Sequence, residues 1–400
     1  MKKRNLFVRL SLFTIILVVG TFAALIVGET MGLALADMSN VSVGAVTNAR
    51  DSETLYAALT MERQGLYRSD DAGRSWLRVS AGPGAAISAL AVHPTDSSML
   101  YAGVMGGTDR PEASLWYSNN SGRSWQRTDL QLPIGPNGLV PEISAVTISP
   151  DHPGIVFVGT EGLGLYRYYR ETGAFERIGG PGLANLYVDE MVAGNGHVYA
   201  VTPEGLLVIS GDAWHKIETL PDAPVSVAVD PANSDNLYVG SVGYGAFRST
   251  DGGETWETIN TGLNWQPGII LSVPAIAVDP QNSEHLTLAT AFSVGSQLAP
   301  GGVFESTDGG QNWQRVADSR QVVERLTFEQ GGIYAATAQG LERYGQPLES
   351  TSTQPLQSLR SLTQPTNAQM LVLGVTLALA SLTLIGRADW VARRDGMAAV

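Results

Sequence analysis

One eight-residue motif occurs four times in this 400-residue chain and constrains its fold more than any other feature. Its pattern is Ser-x-(Asp/Asn)-x-Gly-x-(Ser/Thr/Asn)-Trp. An Asp or Asn side chain accepts hydrogen bonds from backbone N–H groups that follow it, and glycine tolerates positive φ. The motif therefore predicts a tight hairpin whose return strand begins at the tryptophan, with the acid in a structural role rather than a catalytic or calcium-binding one. Its shared residues are Ser69, Asp71, Gly73 and Trp76; Ser118, Asn120, Gly122 and Trp125; Ser249, Asp251, Gly253 and Trp256; and Ser306, Asp308, Gly310 and Trp313.

Apolar strands surround each motif and lengthen the repeat. Strands that end at Pro94, Pro150, Pro231 and Pro280 are each followed by a second strand, and a third strand such as residues 65–68 leads into the motif. Each unit reads as four short strands separated by turn signals. Seven such units can be counted, of which the third, fourth and seventh have a degenerate motif. They span residues 41–79, 87–128, 143–178, 185–217, 224–259, 273–316 and 322–344.

Units of roughly 40–45 residues have the size of a propeller blade. The sequence predicts an all-β fold, a seven-bladed β-propeller of four-stranded blades over residues 37–345. Six or eight blades stay open, because the degenerate units are counted by strand pattern alone. The seventh unit ends after three strands, and an unclosed ring would leave exposed strand edges. The fourth strand comes either from residues 348–359 or from residues 31–38.

Two apolar runs predict transmembrane helices that flank the propeller. Residues 10–28 follow a basic N-terminus and carry no charge, which predicts a signal peptide or an uncleaved signal anchor within residues 1–36. We favour the anchor, because the run is longer than the apolar region of a usual cleaved signal. Residues 370–386 form a second uncharged run and are followed by a basic flank. Between propeller and second run, residues 346–369 are rich in Ser, Thr, Gln and Pro and predict an extended stalk.

The basic flanks of both runs predict the orientation of the chain. By the positive-inside rule the termini are cytoplasmic, with residues 387–400 as a cytoplasmic tail, and the propeller lies on the external side, periplasmic or extracellular, of the cell membrane. Residues 29–369 hold 18 Lys+Arg and 36 Asp+Glu, a formal charge of −18. Such an acidic region disfavours nucleic-acid binding and suits a basic or cation-associated partner.

Residue types also exclude several kinds of chemistry. The chain has no cysteine, so disulfides, thiolate metal sites and a cysteine nucleophile are excluded. Its five histidines are scattered without the spacing of metal ligands. We therefore expect neither a metal nor a cofactor.

The motifs, together with Gly-Leu-Tyr-Arg-Ser at residues 65–69 and Trp-x-Arg-Val at residues 76–79, resemble those of Asp-box propellers, also called bacterial neuraminidase repeats. That family includes sialidases, sortilin-type receptors, xyloglucan-cleaving glycosidases and photosystem II stability/assembly factors. The resemblance implies the propeller fold but no single function, because the family spans enzymes, receptors and assembly factors. The Arg-Ile-Pro element of sialidases is missing, which argues against sialidase activity. Photosystem assembly factors use basic surface residues, and the acidic region here departs from that pattern.

Long connections on the face opposite the motifs are the candidate binding surface. They comprise residues 104–113, 128–142, 261–272 and 290–301. Long loops on one face of a rigid scaffold suit a protein-binding surface. A carboxylate pair beside Trp265 as a sugar platform would instead indicate a glycosidase. The candidate residues are Asp109, Arg110, Glu112, Asp129, Glu142, Trp265 and Phe292.

These observations favour a non-catalytic protein. We predict a membrane-anchored, externally displayed propeller that binds a protein partner, acting as a scaffold or as an assembly or stability factor for a membrane complex. The alternative is a surface carbohydrate-active enzyme or a glycan-binding module.

Overall fold

Seven antiparallel sheets follow one another along the chain of this computed structural model. The structure describes residues 43–48, 54–59, 64–80, 82–83, 86–105, 113–130, 132, 142–149, 151–194, 196–263, 270–294, 297–329 and 332–345. Six sheets have four strands and the seventh has three among these residues, each sheet being built from strands consecutive in sequence. The predicted all-β, seven-bladed propeller with four-stranded blades is confirmed, and the degenerate third and fourth units form complete blades.

The strands of the first four blades have the following bounds. Blade 1 contains β1 (Val43–Asn48), β2 (Leu55–Leu59), β3 (Gly65–Ser69) and β4 (Leu77–Ser80); blade 2 contains β5 (Ile87–His93), β6 (Asp96–Val104), β7 (Ser114–Ser118) and β8 (Gln126–Arg127); blade 3 contains β9 (Ile143–Ile148), β10 (Ile155–Thr160), β11 (Leu165–Tyr169) and β12 (Ala174–Arg177); blade 4 contains β13 (Glu190–Gly194), β14 (His197–Thr202), β15 (Gly205–Ser210) and β16 (Ala213–Lys216). A short 3-10 helix, Gly180–Leu183, connects blades 3 and 4.

The remaining three blades complete the ring. Blade 5 contains β17 (Pro224–Val229), β18 (Leu237–Ser241), β19 (Ala246–Ser249) and β20 (Glu257–Thr258); blade 6 contains β21 (Leu271–Asp279), β22 (Asn282–Val294), β23 (Gln297–Ser306) and β24 (Gln314–Asp318); blade 7 contains β25 (Val323–Glu329), β26 (Gly332–Thr337) and β27 (Gly340–Gly345). In the described part of the chain, no helix is long and apolar enough to cross a membrane. The predicted membrane helices, the stalk, the tail and both candidates for the closing strand lie outside the described residues.

The apolar core lies between blades rather than within one sheet. The second strands are buried on both faces, as β2 shows with five buried residues in succession. Seven apolar clusters result, each shared by two neighbouring blades. One of them joins Leu55 and Trp76 of blade 1 to Tyr334 and Ala336 of blade 7, so side-chain packing closes the ring.

Each of the four motifs, hereafter called boxes, forms a hairpin between the third and fourth strands of its blade. In the box of blade 5, the Asp251 carboxylate accepts hydrogen bonds from the Ser249 hydroxyl (2.7 Å), the Thr255 amide (2.9 Å) and the Thr255 hydroxyl (2.5 Å). The Ser249 hydroxyl in turn accepts the Gly253 amide at 2.8 Å. The other three boxes repeat this network, with Asn120 in the place of the aspartate in blade 2. The Asp or Asn side chain of each box is thus hydrogen-bonded within its own hairpin.

A buried tyrosine hydroxyl adds a hydrogen bond to the packing between blades 7 and 1, and this gives a first prediction. The Tyr334 hydroxyl donates to the Ala72 carbonyl of blade 1 and accepts the Arg343 Nε at 3.0 Å. We expect Tyr334→Phe to lower the free energy of unfolding by about 1–2 kcal/mol, because it removes the side-chain hydrogen bond to the carbonyl of the buried Ala72. Urea unfolding of the full chain in mild detergent, followed by tryptophan fluorescence, measures the loss.

Blade 2 offers a matched control for this substitution. Tyr101 lies in the second strand of its blade, as Tyr334 does, but its buried hydroxyl has no hydrogen-bond partner. We expect Tyr101→Phe to be neutral or stabilising, since no hydrogen bond is lost. Equal losses in the two variants would contradict the closure argument.

The box of blade 5 predicts a pH effect on stability. Hydrogen bonds from the Thr255 side chain and amide lower the pKa of Asp251 from 3.8 to about 2. A carboxyl whose pKa is lower in the folded state stabilises the fold above its unfolded pKa, and this stabilisation is lost as pH falls through the folded pKa. Between pH 4 and pH 2, Asp251→Asn is therefore expected to flatten the decline in unfolding free energy.

The reciprocal substitution tests the same idea in blade 2. Asn120 already fills the box position without a titrating group. Asn120→Asp is expected to steepen the acid decline. Parallel acid titrations of the two variants and the unaltered chain would refute the assignment if all three slopes agreed.

Candidate functional site

The strand order divides the connections between two faces of the ring. Because neighbouring strands in each blade are antiparallel, the third-to-fourth connections, which hold the boxes, lie on one face, called here the box face. The second-to-third connections and the segments between blades lie on the other, called here the loop face. The candidate functional site is on the loop face.

Exposed apolar side chains concentrate on the loop face. Among the described residues, six large hydrophobic side chains are exposed, and only Trp214 of these lies on the box face, in the β15–β16 hairpin. The other five have exposed fractions between 46% and 61%. They are Tyr187, Val242, Tyr244, Ile270 and Leu298.

Four of these side chains belong to segments of blades 5 and 6 that are hydrogen-bonded together. The Gly245 amide donates to the Leu271 carbonyl (2.9 Å), and the Leu271 amide donates to the Gly243 carbonyl (3.0 Å). The hairpin formed by β22 and β23, which carries Leu298, is joined to the same segments, because the Ser293 amide donates to the Ile270 carbonyl at 3.5 Å. We call the set Val242, Tyr244, Ile270 and Leu298 the apolar patch.

Asn260 holds the segment that carries Tyr244. The Asn260 Nδ2 donates to the Tyr244 carbonyl (2.8 Å), and its Oδ1 accepts the Ala246 amide (2.9 Å). Gly245 has a φ of +82° and lies against Asn260, where a Cβ would approach the Oδ1 to 2.2 Å. The Tyr244 amide also donates to the Ser241 hydroxyl (3.0 Å). Tyr244 is therefore presented to solvent by a rigid loop.

A groove of about 240 Å³ adjoins the apolar patch between blades 4 and 5. It is lined by residues 203–206, 216–218, 220 and 222–224. Asp222 connects it to the patch, because its Oδ2 accepts the Gly243 amide at 2.9 Å. Glu204 and Glu218 are exposed along it, and Glu218 pairs with Lys216 at 3.2 Å. The groove is acidic, since its single lysine is already paired.

A charged cluster spans the central channel beside the groove. Arg325 lies on the inner strand of blade 7, yet its guanidinium donates to the Asp189 carbonyl (3.2 Å) and lies 3.9 Å from the Glu190 carboxylate at blade 4. Blades 4 and 7 are three blades apart, so this link crosses the channel. Glu190 also accepts the Val227 amide (3.2 Å) of blade 5.

Burial perturbs both acids of this cluster. It raises the pKa of Glu190, and Arg325 opposes the rise. It also raises the pKa of Asp189, where Arg325 acts in the opposite direction and the charge of Glu204 adds to the rise. Carboxyl groups with such perturbed pKa values often mark functional sites.

The candidate residues from the sequence occupy separate parts of the loop face. Asp129 is exposed between blades 2 and 3, and Glu142 is half-buried at the start of blade 3. Burial, then the neighbouring charge of Glu161, raises the pKa of Glu142. Phe292 is half-buried against the core between blades 5 and 6, far around the ring from Glu142. Asp109, Arg110, Glu112 and Trp265 lie outside the described residues.

Sequence reasoning missed the apolar patch and the channel cluster. Residues 241–245 are a short connection with two glycines, and they are not among the long connections that the sequence predicts as the candidate binding surface. The signal available was the pair Val242 and Tyr244, since turn residues are usually small or polar. Nothing in the sequence pattern joins Arg325 to Asp189 across the ring. No group of three His, Asp or Glu in the described part of the chain is arranged to hold a metal ion.

Comparison with known families identifies the boxes. A family model described as BNR/Asp-box repeat matches residues 247–258 and 304–315, which contain the complete boxes of blades 5 and 6. No curated protein matches the sequence.

Solved structures share the fold at low sequence identity. The GH74 xyloglucanase from Xanthomonas campestris matches with a TM-score of 0.61 and 17% identity, over 78% of this chain and 53% of the enzyme, so the chain spans about half of that protein. YCF48 bound to a D1 peptide matches with a TM-score of 0.55 and 14% identity, over 80% of this chain and 97% of YCF48. YCF48 from Cyanidioschyzon merolae matches with a TM-score of 0.55 and 15% identity, over 78% and 98% of the two chains. The chain is thus a seven-bladed β-propeller that carries BNR/Asp-box repeats.

Proposed function

We propose that the chain is a membrane-anchored scaffold whose propeller holds a protein partner, a subunit of a membrane complex, against the loop face. The observation that carries the proposal is the concentration of exposed apolar side chains there, five of six among the described residues. Large apolar side chains that are exposed together on one face of a domain are typical of an interaction site. A hydrophobic centre with a polar rim is the usual composition of a protein interface.

The propeller is suited to this role because its blades support one another around the ring. Rigid strands fix where each connection emerges, while the connections themselves differ in length and chemistry. YCF48, which has the same fold over 80% of this chain, is known bound to a D1 peptide. That complex supports a protein ligand for this propeller.

Membrane attachment is part of the same proposal. The anchors are residues 10–28 and 370–386, and residues 346–369 are the stalk. Support comes from the uncharged length of each run and from the basic residues on its terminal side. Both termini are then cytoplasmic and the propeller is external.

One observation favours a second candidate function, glycoside hydrolysis. Glu142 and Glu161 are neighbours on the loop face, where the Glu161 amide donates to the Glu142 carbonyl at 3.0 Å. The pKa of Glu142 is raised, as a general acid requires. The fold similarity to a GH74 xyloglucanase is consistent with this candidate.

Single-cysteine cross-linking tests the scaffold function, because the natural chain has no cysteine. The full chain is expressed with Tyr187→Cys or Leu298→Cys on the loop face, treated with a photoactivatable maleimide in native membranes, and purified in mild detergent. We expect one protein to be cross-linked stoichiometrically through both positions. The matched control is Glu254→Cys, an exposed box residue, which should give no cross-link to that protein.

An activity assay separates the two candidate functions. Purified full chain is incubated with xyloglucan and other polysaccharides, and reducing ends are measured. The scaffold proposal expects none to be released. Hydrolysis that is lost in Glu142→Gln, together with no cross-linked partner, would establish the glycosidase instead.

Membrane-impermeant maleimide tests the topology. In intact spheroplasts we expect Glu254→Cys to be labelled, because the propeller is external, whereas Ala398→Cys should be labelled only after lysis. The opposite labelling pattern would overturn the orientation, and labelling of both residues without lysis would exclude a cytoplasmic C-terminus.

A further inference from the structure

We propose that the apolar patch and the adjoining acidic groove together form the docking site for a short basic segment of the partner, in which a large apolar side chain stands beside Lys or Arg. The inference rests on the proposed scaffold function and names the chemistry that the loop face recognises.

The apolar half of this site is organised before any partner arrives. Asn260 and Ser241 hold the loop of Tyr244 through backbone and side-chain hydrogen bonds, and backbone hydrogen bonds join this loop to the Ile270 segment. A preformed surface loses little conformational freedom on binding. Large aromatic side chains held in this way commonly supply most of the binding energy of an interface.

The acidic half of the site lies within one side-chain length of the apolar half. Asp222 lines the groove and also contacts Gly243 of the Tyr244 loop, so a single bound segment can reach both. Asp222 and Glu204 lie in the groove, whereas the local cation, Lys216, is paired with Glu218. The net charge of the side chains that line the groove is therefore negative.

The channel cluster extends this negative field. The guanidinium of Arg325 lies against the Glu190 carboxylate and the Asp189 backbone carbonyl, and the charges of Arg325 and Glu204 both act on the Asp189 carboxyl. An acidic partner segment would therefore be repelled from the groove, and a basic one attracted. The formal charge of −18 over residues 29–369 acts in the same sense at longer range.

A displayed library of random 12-residue peptides tests the proposal with the detergent-solubilised full chain as bait. We expect the enriched peptides to combine Lys or Arg with a large apolar residue. Their dissociation constants are then measured by fluorescence anisotropy. Tyr244→Ser should weaken binding at least about tenfold, in the range of an interface hot spot.

Two further variants keep the test specific. Glu204→Gln removes a charge from an exposed side chain, and it should weaken binding and reduce its dependence on salt. Glu254→Gln is the matched control, because Glu254 has the same residue type as Glu204 and is also exposed, but lies in the box of blade 5 on the box face. It should leave the affinity unchanged.

Several results would overturn the docking site. They are enrichment of acidic or uncharged peptides, no enrichment, or equal affinity for the Tyr244→Ser variant. A chain that is dimeric by sedimentation and becomes monomeric with Tyr244→Ser would assign the patch to a second copy instead. If a partner is cross-linked on the loop face but peptide binding ignores the patch, the scaffold function stands and the docking site fails. If peptides bind at the patch but no partner is cross-linked, the docking site stands and the scaffold function fails.

Discussion

The contact between each box and the preceding blade is the interaction on which the rest of the ring depends. The box glycine leaves a space that an apolar side chain of the neighbour fills. A Cβ at Gly122 would lie 2.1 Å from the Leu66 Cδ2 of blade 1, and one at Gly253 would lie 2.6 Å from the Ile217 Cδ1 at the end of blade 4. The glycine also has positive φ, +81° and +96° at these two positions. One residue type therefore satisfies the turn and the blade interface together.

The box tryptophan stabilises the same interface between blades, because its indole N–H donates a hydrogen bond to the preceding blade. The Trp313 indole donates to the Ile259 carbonyl of blade 5 at 2.6 Å, and the Trp125 indole donates to the Ser80 hydroxyl of blade 1 at 3.3 Å. Blade 4, whose box is degenerate, is tied differently. Arg167 of blade 3 donates to Asp212 at 2.7 Å and to the Gly211 carbonyl. In blade 4, a charge-assisted contact from the neighbouring blade thus offsets the loss of the box.

The sequence predicts the strands and hairpins of the ring well, because they depend on residues close together in the chain. It predicts the loop face poorly, because that surface depends on contacts between distant segments. All the residues that form the box hairpin lie within eight consecutive positions. The structural roles of Ser249, Asp251 and Gly253 could therefore be predicted without knowing where any other blade lies. The Tyr244 loop is fixed by Asn260, which lies in the connection between blades 5 and 6. The Arg325 link exists only because the ring brings blades 4 and 7 to opposite sides of one channel. Such contacts have no sequence period. Periodicity therefore predicts the scaffold, while the surface it presents depends on contacts that only the closed ring creates.

The pKa values of acidic side chains are shifted in opposite directions on the two faces of the ring. On the box face, hydrogen bonds within the hairpin lower the pKa of Asp251 and Asp308, so these carboxylates stabilise the fold in their charged form. On the loop face, burial raises the pKa of Glu142, Asp189 and Glu190, so their charge is held in an unfavourable environment. The box network shows that this fold can satisfy a carboxylate locally where stability requires it. Acids in an unfavourable environment are common at functional sites, and these three lie on the face that we propose to bind the partner.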